Sequence, residues 1–128
     1  MRRSDQRRDA VFACYQRDVT GRPLAELLGE ARPFTRELAE AVESRRDELD
    51  VTIASHARGW ELKRIAPLEL NVMRVALYEI EQSEDVPDEV AIDEAVKITK
   101  EYCGAGASGF VNGILGAIVR ERQGGAVT

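Results

Sequence analysis

The side chains able to carry covalent or proton-transfer chemistry are few in this sequence, and their spacing assembles no catalytic set. The one histidine, His56, stands beside Arg58 without a cysteine, serine or carboxylate placed to build a dyad or triad with it. Cys14 and Cys103 lie far apart with no CxxC pair, so neither a zinc cluster nor a disulfide framework is indicated. Cys14 falls on the apolar face of a helix, where a thiol acts as a small hydrophobe. Glu79, Glu81, Glu84 and Asp85 read as a solvated helix end and loop, not as an acid/base pair in an apolar pocket. Gly104, Gly106 and Gly109 spell G-x-G-x-x-G, but a dinucleotide cradle needs a strand before it and here a helix precedes it. What remains there is a set of backbone N–H groups at the start of the last helix, open to a phosphate. No catalytic residue, metal site or cofactor is expected.

The chemistry that these residue types do support is anion binding. Residues 1–22 hold six arginines (Arg2, Arg3, Arg7, Arg8, Arg17 and Arg22) against three acids, a local charge of +3. On a helix begun near Asp5, Arg3, Arg7 and Arg8 fall within one or two turns and form a compact cationic patch near the chain terminus. Arginine suits this role because its planar guanidinium contacts phosphate bidentately and stacks on bases. Tyr15, two turns beyond Arg8, is either a core residue or an exposed contact. The net charge of −5 and pI near 5.0 hide this footprint, because residues 79–101 alone carry −7. The pattern is a basic patch on an acidic body.

Helices must position these groups, since apolar residues recur three and four apart in almost every stretch between breakers. The spacing predicts a first helix after Ser4 as N-cap, with Val11, Cys14 or Tyr15, and Val19 inward, stopped by Thr20-Gly21. A short helix follows Pro23 and ends near Gly29. From Pro33, Phe34, Leu38, Val42, Leu49, Ile53 and Trp60 keep phase, interrupted by Arg45, as one long helix or as two that break near Asp47 to Asp50. After Pro67 the run to Ile80 is apolar on more than one face and belongs at the centre. Pro87 opens a helix with Ile92, Ala95, Val96, Thr99 and Tyr102 inward. Residues 104–109 read as a glycine-rich loop, Ser108 as the cap of a last helix, and the tail GGAVT as frayed.

The chain of 128 residues and 14.2 kDa, 44% hydrophobic and 32% charged, fits a single all-α domain over 1–128 that buries its core without staples. No apolar run approaches the roughly 18 residues that span a membrane, and the charged start is unlike a signal peptide. With no disulfide pattern, the expected location is cytoplasmic.

Four segments resemble the NusB antitermination family in order and spacing: RRDAVFACYQRDVTG at 7–21, LELNVMRVALYEI at 68–80, DVPDEVAIDEAVKITK at 85–100 and FVNGILG at 110–116. Trp60 also stands where the family places a tryptophan. The resemblance implies about seven helices in two packed three-helix subdomains, and a function without catalysis. NusB proteins bind the boxA element of nascent ribosomal RNA with NusE, a small-subunit ribosomal protein, and join the elongating RNA polymerase complex with other Nus factors. By the resemblance Arg2, Arg3, Arg7 and Lys100 are expected RNA contacts, and Tyr15 and Glu69 face NusE. Asn112 and Gly113 match the FVNG turn, where the small glycine allows close packing. Many relatives continue the arginine run where this chain has Ser4, Asp5 and Gln6. Many also place an acidic pair and a lysine where it has Ala105, Gly106 and Gly109. Each lost cation removes about one phosphate's worth of salt-dependent affinity, so weaker intrinsic RNA binding and stronger dependence on NusE are expected. The alternative is a self-associating helical module, a homodimer that masks its RNA face. A third reading is the helical domain that precedes the catalytic part of certain ribosomal RNA methyltransferases, which the early end after FVNGILG disfavours.

Overall fold

A computed structural model of the chain describes residues 2–125. Its elements are α1 (Arg3–Thr20), α2 (Leu24–Leu28), α3 (Pro33–Ser44), α4 (Arg46–His56), a 3-10 turn (Leu62–Arg64), α5 (Pro67–Gln82), α6 (Asp88–Cys103) and α7 (Ala105–Gly125). No strand occurs among the described residues, so the fold is all-α. α1, α2 and α3 pack together, as do α5, α6 and α7. α1 crosses onto α5 to join the two groups, and α4 leans on α5 and α7.

The element boundaries follow from single residues. α1 stops at Gly21, whose φ of +74° is left-handed and whose N–H donates to the Arg17 carbonyl at 2.9 Å. Ser4 is not its cap: its hydroxyl donates to Glu94 Oε1 at 3.0 Å, a tertiary contact to α6, and the helix starts two residues earlier than expected, at Arg3. The 33–60 segment forms two helices. They part at Arg45, with φ −111° and ψ 13°, two residues before Asp47 and at the one charged residue that interrupts the apolar stripe. Pro67 sits at the first turn of α5, where its missing N–H has no intrahelical partner to lose.

Two expectations about the C-terminal third need correction. The segment 105–109 is not a loop, because α7 begins at Ala105 and Gly104 alone, at φ +95°, turns the chain. Ser108 lies buried inside that helix and donates to the Ala105 carbonyl at 2.8 Å instead of capping it. The extensive packing of α6 on α7 outweighs the weak helix propensity of these glycines. The inner face of α6 is also rotated: Ala91, Ala95, Ile98 and Thr99 are buried, whereas Ile92 and Val96 are half-buried and Tyr102 is exposed. At the C-terminus α7 runs to Gly125, and the end of the expected frayed tail, residues 126–128, lies outside the described residues.

One core runs through both groups of helices, with Val11, Val42, Leu49, Ile53, Met73, Leu77, Val111, Leu115 and Ile118 all but sealed. α5 is the central helix and buries ten residues, as its all-round apolar pattern requires. Three of the ten are polar, and they bind neighbouring helices. The Arg74 guanidinium donates to both Asp50 oxygens at 2.7 and 2.8 Å and to Asp18 at 2.5 Å, while Asn71 Nδ2 donates to Asp18 at 3.0 Å. This network locks α1 and α4 to α5. Burial works to raise the Asp18 carboxyl, but the Asn71 hydrogen bond and the Arg74 and Arg46 guanidiniums outweigh it and hold the group below its ordinary range. Among the described residues no helix is long and apolar enough to cross a membrane.

Candidate nucleic-acid and partner interface

The six arginines of the N-terminal segment separate into distinct environments once the chain is folded. Arg2 is open to solvent, its side chain 85% exposed and 3.8 Å from Asp5. Arg3 is exposed too, and its guanidinium carbon lies 4.0 Å from the centroid of the Phe34 ring. Arg8 pairs with Asp5 and Asp9 at 3.4 Å each. The residues that follow Arg3 have structural partners of their own. Ser4 reaches Glu94, Asp5 neutralises Arg8, and the Gln6 carbonyl accepts from Thr35 at 3.1 Å.

Arg7 corrects the expectation of an exposed patch. It is 8% exposed, and its Nε donates to Glu79 Oε1 and Oε2 at 2.8 and 3.0 Å. The helical period explains the difference. Arg7 shares a stripe with Ala10, Val11 and Cys14, which face α5, so its side chain points inward where Glu79 waits on the opposite helix. Burial raises the Glu79 carboxyl above its ordinary range, and Arg7 draws it partly back. A side chain held this way spends its Nε on Glu79 and is largely buried, and Arg7 anchors α1 to α5.

Lys100 is exposed in the last turn of α6. Ser4 meets Glu94 and Phe12 meets Tyr102, so α1 and α6 run in the same sense. Lys100 is six residues past Glu94 and therefore lies about 9 Å along α6 from the level of Ser4. The structure thus places it alongside the middle of α1 and not beside Arg2 and Arg3.

Tyr15 is half-buried, between the two alternatives that its spacing allowed. It shares a face of α1 with Arg8 and Phe12, and the Phe12 ring meets the exposed Tyr102 edge-on at 4.9 Å. Glu69 is half-buried in the first turn of α5, and burial raises its carboxyl. It lines a cleft of about 240 Å³ with Trp60, Arg64, Ile65, Gly106, Ala107 and Phe110. Trp60 is 52% exposed and packs edge-on against Phe110 at 5.6 Å. Cys103, next to Tyr102, is near enough to Glu69 for that charge to add to the effect of burial in raising its thiol. The end of α6 thus carries Tyr102, which meets the Phe12 ring of α1, and Cys103, which feels the charge of Glu69. Sequence reading singled out Tyr15 and Glu69 but not Tyr102, whose helical spacing reads as core.

Neither cysteine is paired, and burial pushes the Cys14 thiol up to about 12, which leaves it inert. His56 uses Nδ1 on the Thr52 carbonyl at 2.8 Å and Nε2 on Glu121 at 2.8 Å, a bridge from α4 to α7.

The fold is an all-helical domain with exposed arginines at one helix start and exposed aromatic rings on another side. The chain belongs to the NusB family, whose sequence model matches residues 4–120. It is 45% identical over 97 residues to the transcription antitermination protein NusB of Symbiobacterium thermophilum, an overlap of 76% of this chain and 63% of that relative's length. To NusB of Rubrobacter xylanophilus it is 38% identical over 122 residues, covering 90% of this chain and 88% of that one. The solved structure of T. maritima NusB superposes with a TM-score of 0.87 at 29% identity, covering 94% of this chain and 92% of the other.

Proposed function

We propose that this protein is a transcription antitermination factor that binds the boxA element of nascent ribosomal RNA together with NusE and joins the elongating RNA polymerase complex with other Nus factors. The family match across residues 4–120 carries this reading. The residue chemistry agrees with it. Arg2 and Arg3 offer exposed guanidiniums at the start of α1, and Lys100 adds an exposed ammonium on α6. Tyr15 and Glu69 serve the NusE side, where a half-buried carboxylate among aromatic rings suits a cationic side chain of a basic ribosomal protein. Arg7 is left out of the RNA contacts because its guanidinium is committed to Glu79.

The mechanism is assembly. Phosphate contacts at the start of α1 supply salt-dependent affinity, and NusE, bound on the aromatic side, adds a second surface to the same RNA. The acids of the −7 segment on α5 and α6 keep RNA off the surfaces away from Arg2, Arg3 and Lys100 by repulsion. Electrophoretic mobility shift of boxA RNA at low salt, with and without NusE, tests the reading. A shift that NusE strengthens supports it, and no shift even with NusE refutes it. Glu69→Ala is expected to weaken NusE capture while leaving the salt slope of RNA binding unchanged.

A further inference from the structure

Arg3 is not a free side chain on a flexible end. Its guanidinium lies over the Phe34 ring at 4.0 Å from the centroid, and Arg7 approaches the same ring at 5.6 Å. Phe34 is half-buried in α3, and the next residue, Thr35, donates its hydroxyl to the Gln6 carbonyl at 3.1 Å. Two adjacent residues of α3 thus grip the first turn of α1. Two residues before Phe34 stands Arg32, which is exposed and whose side chain has no hydrogen-bond or ion-pair partner among the described residues. That is unlike the other arginines around it: Arg22 pairs with Glu26, Arg36 with Glu40 and Arg45 with Glu48. Phe34 also borders an open cleft of about 440 Å³ whose other lining includes Glu37, Glu84 and Asp85. A polyanion meets repulsion in that cleft and attraction from Arg2, Arg3 and Arg32.

We infer that α3 supplies the second half of the RNA site: Phe34 is a positioning residue that holds Arg3 ready for the RNA, and Arg32 is a direct phosphate contact. The inference rests on the RNA-binding reading above. A cation over an aromatic face is held electrostatically, so Arg3 reaches the RNA with less side-chain freedom left to lose. Arg32, having no intramolecular partner to give up, contributes its full charge.

A double-mutant cycle tests the positioning role, using fluorescence anisotropy of boxA RNA with NusE present. Phe34→Leu and Arg3→Ala are each expected to weaken binding about two- to fivefold. The double variant is expected to bind no more weakly than Arg3→Ala alone, and Phe34→Trp to retain affinity. If Phe34→Leu costs the same affinity in the unchanged chain as in the Arg3→Ala variant, its effect is a general structural one and the positioning role is overturned. Arg32→Ala, at an exposed side chain that does not hold the fold, is expected to lower the slope of log K against log salt by about 0.7. An unchanged slope overturns the phosphate contact. If the unchanged protein with NusE fails to bind RNA at all, the RNA-binding reading falls and this inference falls with it.

Discussion

Replacing Arg7 with alanine separates an anchor from an RNA contact, because the two roles predict different losses. The Arg7 and Glu79 side chains are 10% and 4% exposed, so water cannot take over when the guanidinium is removed. Breaking one half of a buried ion pair costs about 3–5 kcal/mol. Here the lower end applies, because the Glu79 carboxyl already stands above its ordinary range and escapes its isolation by taking up a proton. A carboxyl raised in the folded state binds a proton more tightly than the unfolded chain does, so its contribution is least favourable above the folded value and improves as pH falls through that value towards the unfolded one. Without Arg7 the folded value rises further. Arg7→Ala should therefore lose about 3 kcal/mol at pH 7.5, lowering Tm by about 12 °C, and clearly less at pH 5. Thermal and urea unfolding at both pH values measure this, and RNA titration below Tm should show an unchanged salt slope. A loss under about 1 kcal/mol at pH 7.5, or an equal loss at pH 5, refutes the buried-pair argument.

The Asp18–Arg74–Asp50 network should respond to acid in the opposite sense. The Asp18 carboxyl is held below its ordinary range, so its stabilisation is present above the unfolded value and is lost as pH falls through the folded one. Asp18→Asn should thus destabilise at pH 7 and cost little near pH 2, as read by urea midpoints. Arg74→Ala strands Asp50, leaves Asp18 to Asn71 and Arg46, and should cost about 3–5 kcal/mol, and Arg74→Lys should recover little because it lacks the planar fork that spans Asp50. Among the glycines, Gly104→Ala should destabilise by about 1–2 kcal/mol through its φ of +95°. Gly106→Ala and Gly109→Ala, which meet open space inside α7, should stabilise by about 0.5–1 kcal/mol in calorimetry.

Helical class, the centrality of α5 and most starts and stops were legible because proline, left-handed glycine and 3.6-residue periodicity act locally. Arg45 in the apolar stripe marked the α3/α4 break, although its place two residues earlier than Asp47 depends on how α4 leans on α5 and α7. The 105–109 helix was hidden, since its glycines argue for a loop and the packing of α7 on α6 overrides them. The candidate site divided along the same line. Residue type and number pointed to Arg2 and Arg3, but the burial of Arg7 needs Glu79, a residue far along the chain on another helix. The same distance conceals the Phe34 ring beneath Arg3 and the unpartnered Arg32, because neither belongs to the arginine-rich segment. Tyr102 has core spacing and is exposed because α6 turns its small Ala91 and Ala95 inward.

The proposed RNA binding is tested most directly by the mobility shift of boxA RNA at low salt, titrated with this protein alone and with NusE added. A weak, salt-sensitive shift is expected from the protein alone and a much tighter ternary complex with NusE, both diminished by the Arg2→Ala/Arg3→Ala double variant. RNA left unshifted by the two proteins together, or a shift indifferent to those two arginines, would contradict it.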